Sequence, residues 1–150
     1  MYKSVALVMC VFATTLLAVD PMGTWKLNTA KSKYTGAPGP KEMTTTYSPE
    51  GSGWRYSGSG VSAAGAPIKS SFVYVKDGAE IKTTGFPNWD GLVLSNAKND
   101  KATGVIMRGG KAIGKLTRSL LADGKTMIID GEFTGLDGKP ATYHAVYERQ

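Results

Sequence analysis

Cysteine and histidine are almost absent from the sequence, which contains one cysteine, Cys10, and one histidine, His144, among 150 residues. Cys10 lies in the N-terminal apolar run that we expect to be removed as a signal peptide, so cysteine-based zinc sites and thiol redox chemistry are excluded from the remaining domain. A zinc site would have to combine His144 with carboxylates, and no spacing in the chain suggests one. The G-x-S-x-G turn that presents a nucleophilic serine is also missing. The sequence therefore predicts no metal, no cofactor and no catalytic cluster.

Long apolar runs are missing beyond the N-terminus. Lys3 precedes apolar residues 5–17, a run too short to span a bilayer, and Asp20 follows it closely. This pattern is typical of a secretory signal peptide. We expect residues 1–18 to be a cleaved signal peptide and residues 19–150 to be one exported domain, in the periplasm or outside the cell.

A strong excess of one charge is also missing. The chain has 18 basic residues and 12 acidic residues, for a formal net charge of +6. The basic residues are scattered and form no DNA-binding or RNA-binding signature, so we expect no nucleic-acid partner. This modest basic excess suits peripheral contact with anionic envelope components, and we expect the protein to be a monomer.

Long helices are not expected, because 19 glycines and 7 prolines interrupt the chain. Between these breaks lie short alternating segments rich in Thr, Val, Ile, Tyr and Phe, which indicate strands. The clearest segments are at residues 41–48, 54–61, 71–76 and 126–133. The pattern predicts an all-β fold, a single antiparallel up-and-down barrel of about 8–10 strands. One short helix is expected at residues 29–33, capped by Asn28 or Thr29.

The segment "RGGKAIGKLTRS" at residues 108–119 has the glycine and lysine spacing of a phosphate-binding loop. Leu116 stands where that motif needs Ser or Thr to bind the magnesium ion. A phosphate-binding loop also needs a helix that begins at the phosphates, and this chain has almost no helix signal. We interpret Gly109–Gly110 as a tight turn between strands at residues 103–108 and 112–121.

Several motifs together resemble a largely uncharacterised family of small exported bacterial proteins with lipocalin-like (calycin-type) β-barrels. The motifs are "GTWKLNTAKSKY" from Gly23, "GAPGPKE" from Gly36, "GFPNWD" from Gly85, "RGGK" from Arg108, "DGKTMII" from Asp123 and the terminal "AVYERQ". The resemblance covers nearly all of the exported domain. It implies a lipocalin-like barrel.

The stretch Gly23–Thr24–Trp25 is similar to the G-x-W motif of lipocalins, in which the Trp closes the barrel base and packs against an Arg of a late strand. The resemblance implies a structural latch of Trp25 with Arg118, or with Arg149 as the alternative. Arg118 lies on an apolar face of its predicted strand. A buried cation there needs a partner, which is the Trp25 ring, a carbonyl, a carboxylate or the acidic head of a ligand.

Side chains alternate between the two faces of a strand, and a barrel of about eight strands encloses packed side chains or one small ligand. Candidate ligand-binding residues of the lining or mouth are Tyr56, Tyr74, Phe86, Trp89, Arg118 and Tyr143. Phe86 and Trp89 in the "GFPNWD" loop form either a lid over the mouth or a plug packed into it. His144 is predicted to face outward, on the opposite face from Tyr143.

These features favour non-catalytic binding or transport of a small hydrophobic or amphipathic molecule in the cell envelope. Two alternatives remain open. One is an envelope interaction protein with a packed barrel and a basic surface. The other is a small barrel enzyme that acts on a hydrophobic substrate, with His144 as its best acid–base candidate.

Overall fold

The computed structural model describes residues 20–150, so the predicted signal peptide lies outside the described residues. The described chain forms eleven strands joined by turns. They are β1 Gly23–Leu27, β2 Lys33–Thr35, β3 Glu42–Glu50, β4 Gly53–Val61, β5 Pro67–Tyr74, β6 Glu80–Lys82, β7 Gly91–Ser95, β8 Lys101–Arg108, β9 Lys111–Leu120, β10 Thr126–Thr134 and β11 Pro140–Arg149. Within this part of the chain, no helix is long and apolar enough to cross a membrane.

All strand pairs are antiparallel, in the order β5-β4-β3-β1-β11-β10-β9-β8-β7-β6, with β2 paired to β11. The first and last strands are neighbours, so the sheet curls back on itself. Its two ends meet at one bridge, where Ser71 and Thr84 exchange two backbone hydrogen bonds of 2.9 Å. The result is a nearly closed up-and-down barrel, which confirms the predicted fold class. The eleven observed strands slightly exceed the predicted 8–10, and two of them, β2 and β6, have only three residues each.

The predicted helix at residues 29–33 is wrong. Asn28 behaves like a helix cap, because its Oδ1 accepts a hydrogen bond of 3.1 Å from the Lys31 N–H. Only one turn forms, however, before the chain enters β2. The Ser32 hydroxyl accepts the Val146 N–H at 2.9 Å, which ties this turn to β11. Pairing with β11 therefore overrides the local helix signal.

The glycine pair Gly109–Gly110 joins β8 to β9, with φ angles of 56° and 76°. Positive φ at both central residues is the requirement of a tight hairpin turn with the twist of the flanking strands. The hairpin interpretation is confirmed, and no helix follows the turn to bind a phosphate.

Two ends of the barrel can be distinguished. We call the end with the β3–β4, β7–β8 and β9–β10 turns the base, and the end with the β6–β7, β8–β9 and β10–β11 connections the mouth. Five inward aromatic residues lie on β3, β4 and β5, namely Tyr47, Trp54, Tyr56, Phe72 and Tyr74, whereas the inward residues of β7, β8 and β10 are mostly aliphatic or small. The first wall thus carries more ring area than the second.

Candidate functional site

Trp25 closes the base of the barrel. Its side chain is fully buried, and its Nε1–H donates a hydrogen bond of 2.8 Å to the Pro21 carbonyl. The Arg149 guanidinium carbon lies 4.3 Å from the centroid of the Trp25 ring. Arg149 and Trp25 are directly opposite each other in the β1–β11 register, which explains the pairing. The latch partner is therefore Arg149, and the prediction of Arg118 in that role is corrected.

Arg118 lies on the inner face of β9 and is 4% exposed. Its Nη2 donates hydrogen bonds of 2.9 Å to the carbonyls of Ala97 and Asn99 in the β7–β8 turn. Among the described residues, its Nε–H has no hydrogen-bond partner and no carboxylate forms an ion pair with it. Burial lowers the pKa of the Arg118 guanidinium, and the Tyr47 hydroxyl acts in the opposite direction. The barrel thus encloses a cation with unused hydrogen-bonding capacity.

A continuous series of aromatic rings runs from the mouth to the base. Neighbouring ring centroids lie 4.8–6.5 Å apart. We call this series the aromatic row, and its members are Tyr34, Tyr143, Phe133, Trp89, Phe86, Phe72, Tyr56, Tyr47, Trp54 and Tyr74. It includes all five aromatic residues predicted to line a ligand site. Their contact with a ligand remains a prediction.

The loop at residues 83–90, which we call the plug loop, inserts its two aromatic side chains into the mouth. Phe86 and Trp89 stack on each other with centroids 5.2 Å apart. The rings of Trp89 and Phe133 form an edge-to-face pair with centroids 5.2 Å apart, and the centroids of Phe86 and Tyr56 are 5.9 Å apart. Both rings are partly buried and pack against side chains of the core, which favours a plug over a lid.

The β8–β9 hairpin holds the plug loop in place. Arg108 Nη1 donates hydrogen bonds to the carbonyls of Asn88 at 3.0 Å and Thr134 at 3.1 Å. The Asp90 carboxylate accepts the Gly109 N–H at 3.1 Å. The "RGGK" and "GFPNWD" motifs are therefore in direct contact, a relation that neither motif reveals alone.

Buried tyrosine hydroxyls give the apolar interior a polar component. Burial raises the pKa values of Tyr47, Tyr56, Tyr143 and Tyr147, which keeps these side chains neutral at physiological pH. Tyr47 and Tyr147 are absent from the predicted candidates. Their inward orientation follows from the strand alternation, since Tyr147 lies on the same face of β11 as Tyr143 and Tyr47 lies on the same face of β3 as Thr45.

His144 lies on the outer face of β11, as predicted, opposite to Tyr143. Its Nδ1 is 2.6 Å from Asp130 Oδ1, and both side chains are largely exposed. They border a shallow outer depression of about 460 Å³ that also includes Lys33 and Lys115. No group of three His, Cys, Asp or Glu side chains in the described residues is arranged to hold a metal ion. The sole histidine is thus separated from the barrel interior by the sheet.

No family model matches the chain, and no curated protein matches it. Among solved structures, the chain is similar to zebrafish ileal bile acid-binding protein complexed with cholic acid. That match has 12% identity and a TM-score of 0.48, and it covers 86% of this chain and 98% of the other. The chain is also similar to the siderocalin Ex-FABP, with 14% identity, a TM-score of 0.38, and coverage of 86% of this chain and 73% of the other. By its strand order, the chain is an antiparallel up-and-down barrel.

Proposed function

We propose that the protein binds or transports a small amphipathic molecule with an anionic group, without catalysing a reaction. The observation that carries this proposal is Arg118, a buried cation in the barrel interior whose Nε–H has no partner in the described structure. The ligand's anionic group contacts Arg118, and its apolar part contacts the aromatic row. The predicted signal peptide supports a location in the periplasm or outside the cell.

An anion is the ligand chemistry that suits Arg118. Removing a cation from water is costly unless it is paired and hydrogen-bonded. Two backbone carbonyls satisfy only Nη2, and they leave the charge without a counter-ion. A carboxylate, phosphate or sulfonate supplies both a charge and acceptors that match the guanidinium geometry. Binding such a group would offset part of the free-energy cost of burying the Arg118 charge.

The apolar part of the ligand needs apolar protein surface against which it can be buried, and the aromatic row supplies that surface. Burial of apolar surface contributes about 25 cal/mol per Å². Tyr56, Phe86, Trp89 and Tyr143 lie on the path between the mouth and the base. Because Phe86 and Trp89 occupy this path, ligand entry requires the plug loop to move outward. Loops at barrel mouths are the elements in which such motion is usual.

A second candidate function is supported by the same row of rings. The aromatic side chains pack against one another from the mouth to the base, which is also the arrangement expected of a barrel whose interior is a packed core. In that case the basic exterior, with a net charge of +6 for the whole chain, is the functional surface and contacts anionic envelope components. Such binding weakens steeply as ionic strength rises, whereas binding inside a barrel is much less sensitive to salt.

The test uses three probes with the same twelve-carbon chain, namely dodecanoate, dodecanol and dodecyltrimethylammonium, titrated calorimetrically below their micelle concentrations. We expect dodecanoate to bind with one-to-one stoichiometry and the cationic probe not to bind. Arg118→Gln should weaken dodecanoate binding at least about tenfold, given about 1.5–3 kcal/mol for a charged hydrogen bond. Arg55→Gln is the matched control, because Arg55 pairs with Glu50 on the outer face.

Two results would contradict the proposal. One is the absence of dodecanoate binding, together with a mass for the purified native protein that shows no bound molecule. The other is equal binding of all three probes that Arg118→Gln leaves unchanged. Salt-sensitive binding to anionic vesicles in the absence of dodecanoate binding would instead support the interaction protein.

A further inference from the structure

Three hydroxyl-bearing side chains lie at neighbouring inward positions on the wall formed by β3, β4 and β5. Thr45, Gly58 and Ser70 face one another in the strand register, and Tyr56 lies next to Gly58 on the same face. A Cβ added to Gly58 would lie 2.5 Å from Ser70 Oγ and 2.7 Å from Tyr56 Oη. The absence of a side chain at Gly58 thus leaves the room that these hydroxyls occupy. We call Thr45, Tyr56 and Ser70 the hydroxyl cluster.

The hydroxyl cluster is buried and incompletely hydrogen-bonded. Thr45 is 1% exposed and Ser70 is 6% exposed, and in residues 20–150 neither Oγ atom has a hydrogen-bond partner. The Tyr56 and Ser70 hydroxyls both border the space over Gly58. Burial raises the pKa of Tyr56, and the Ser70 hydroxyl opposes that rise. Buried polar groups without hydrogen-bond partners destabilise a fold, so their presence at this position calls for a functional explanation.

The hydroxyl cluster belongs to the same interior as Arg118. Tyr47 connects the two, because its ring centroid lies 5.5 Å from that of Tyr56 and its hydroxyl interacts electrostatically with Arg118. The Met43 methyl group covers Gly58, at 2.5 Å from an added Cβ. Methionine is flexible and readily yields space to a ligand. Tyr47 thus lies between Arg118 and the cluster, and a rotamer change of Met43 would open the space over Gly58.

We propose that the hydroxyl cluster is a second polar subsite, which recognises a hydroxyl group on the ligand. The ligand class is then a hydroxylated amphipathic anion, with its charge at Arg118 and its hydroxyl at Thr45 and Ser70. This inference rests on the proposed function. A ligand hydroxyl both donates and accepts, so it satisfies the side-chain hydroxyls that the protein leaves unpaired.

The experiment compares dodecanoate with 3-hydroxydodecanoate and 12-hydroxydodecanoate on the native protein by calorimetry. We expect at least one hydroxylated acid to bind about tenfold more tightly than dodecanoate. A gain in affinity of that size corresponds to one or two additional hydrogen bonds to groups that are otherwise unpaired. Thr45→Val, which keeps the side-chain shape, should abolish this preference and leave dodecanoate binding unchanged. Ser70→Ala provides an independent variant. Ser119→Ala on β9 is the surface control, because Ser119 alternates with inward-facing Arg118.

The apo proteins supply a second readout. Removing an unpaired buried hydroxyl without changing side-chain shape is neutral or stabilising, so Thr45→Val should not lower the denaturant midpoint. A lower midpoint would indicate a structural role for the hydroxyl and overturn the inference. Tight binding of dodecanoate without preference for either hydroxylated acid would also overturn it while the proposed function stands. If none of the three acids binds, the proposed function fails and the inference fails with it.

Discussion

The Trp25–Arg149 latch gives a quantitative prediction about stability. Arg149→Met keeps most of the aliphatic side chain but removes the guanidinium. The Arg149 guanidinium stacks on Trp25 and donates hydrogen bonds to the carbonyls of Gly124 at 2.8 Å and Asp20 at 2.8 Å, and also to that of Met22. These hydrogen bonds join residues 20–22 and the end of β11 to the β9–β10 turn. Their loss is therefore expected to loosen the base of the barrel.

The magnitude follows from the contacts. The cation–π interaction contributes about 1 kcal/mol. Three charged hydrogen bonds, discounted for their partial exposure, add about 0.7 kcal/mol each. We therefore expect Arg149→Met to lower the free energy of unfolding by about 3 kcal/mol. For a domain of this size, that corresponds to a fall in Tm of roughly 10 °C.

The assay is guanidinium chloride unfolding followed by tryptophan fluorescence, with Arg55→Met as the control. Arg55 forms a bidentate pair with Glu50, whose Nη2–Oε1 distance is 2.8 Å, but both side chains are about two-fifths exposed. An exposed pair of this kind contributes little to stability. Equal losses of stability in the two variants would refute the latch, since the reasoning depends on the location of Arg149 at the base.

Three further changes test other parts of the barrel. Backbone N–H donors lower the pKa of the Asp77 carboxyl below its ordinary 3.8. The ionised carboxylate therefore stabilises the fold above pH 3.8, and this contribution is lost as the pH falls through the folded-state pKa. Asp77→Asn should weaken this acid dependence when the free energy of unfolding is measured from pH 2 to 7. Gly131→Ala should destabilise the protein by about 1–3 kcal/mol, because the new Cβ overlaps the Tyr143 ring, and the same substitution should cost less in a Tyr143→Ala background, where the ring is absent. Arg108→Gln should increase hydrogen exchange in the plug loop about tenfold, since it removes hydrogen bonds from a charged donor; unchanged exchange there would show that Arg108 does not hold the loop.

Local patterns in the sequence are sufficient to predict most of the barrel. The segment predicted at residues 41–48 is β3, observed at Glu42–Glu50, and the one predicted at residues 126–133 is β10, observed at Thr126–Thr134. Alternation along β11 also places Tyr143 inward and His144 outward, as predicted. These properties depend on neighbouring residues and on glycine turns, which the sequence displays directly.

Contacts between distant segments are not visible in local patterns. The pairing of Trp25 with Arg149 depends on the register between the first and last strands, which become neighbours only when the barrel closes. The tether from Arg108 to the plug loop likewise depends on where two connections meet at the mouth. At Asn28, the local cap signal is real, but pairing with β11 decides the conformation.

The central claim is that Arg118 binds the anionic group of a ligand inside the barrel. Its most direct test is NMR of dodecanoate labelled with ¹³C at the carboxyl group, bound to the native protein and titrated from pH 8 to pH 4. We predict a distinct bound carboxyl resonance whose pKa is well below that of the free acid, because the Arg118 guanidinium favours the ionised form. Arg118→Gln should remove that shift while Arg55→Gln retains it. The absence of a bound resonance, or a carboxyl group that titrates identically in the native protein and in Arg118→Gln, would contradict the account.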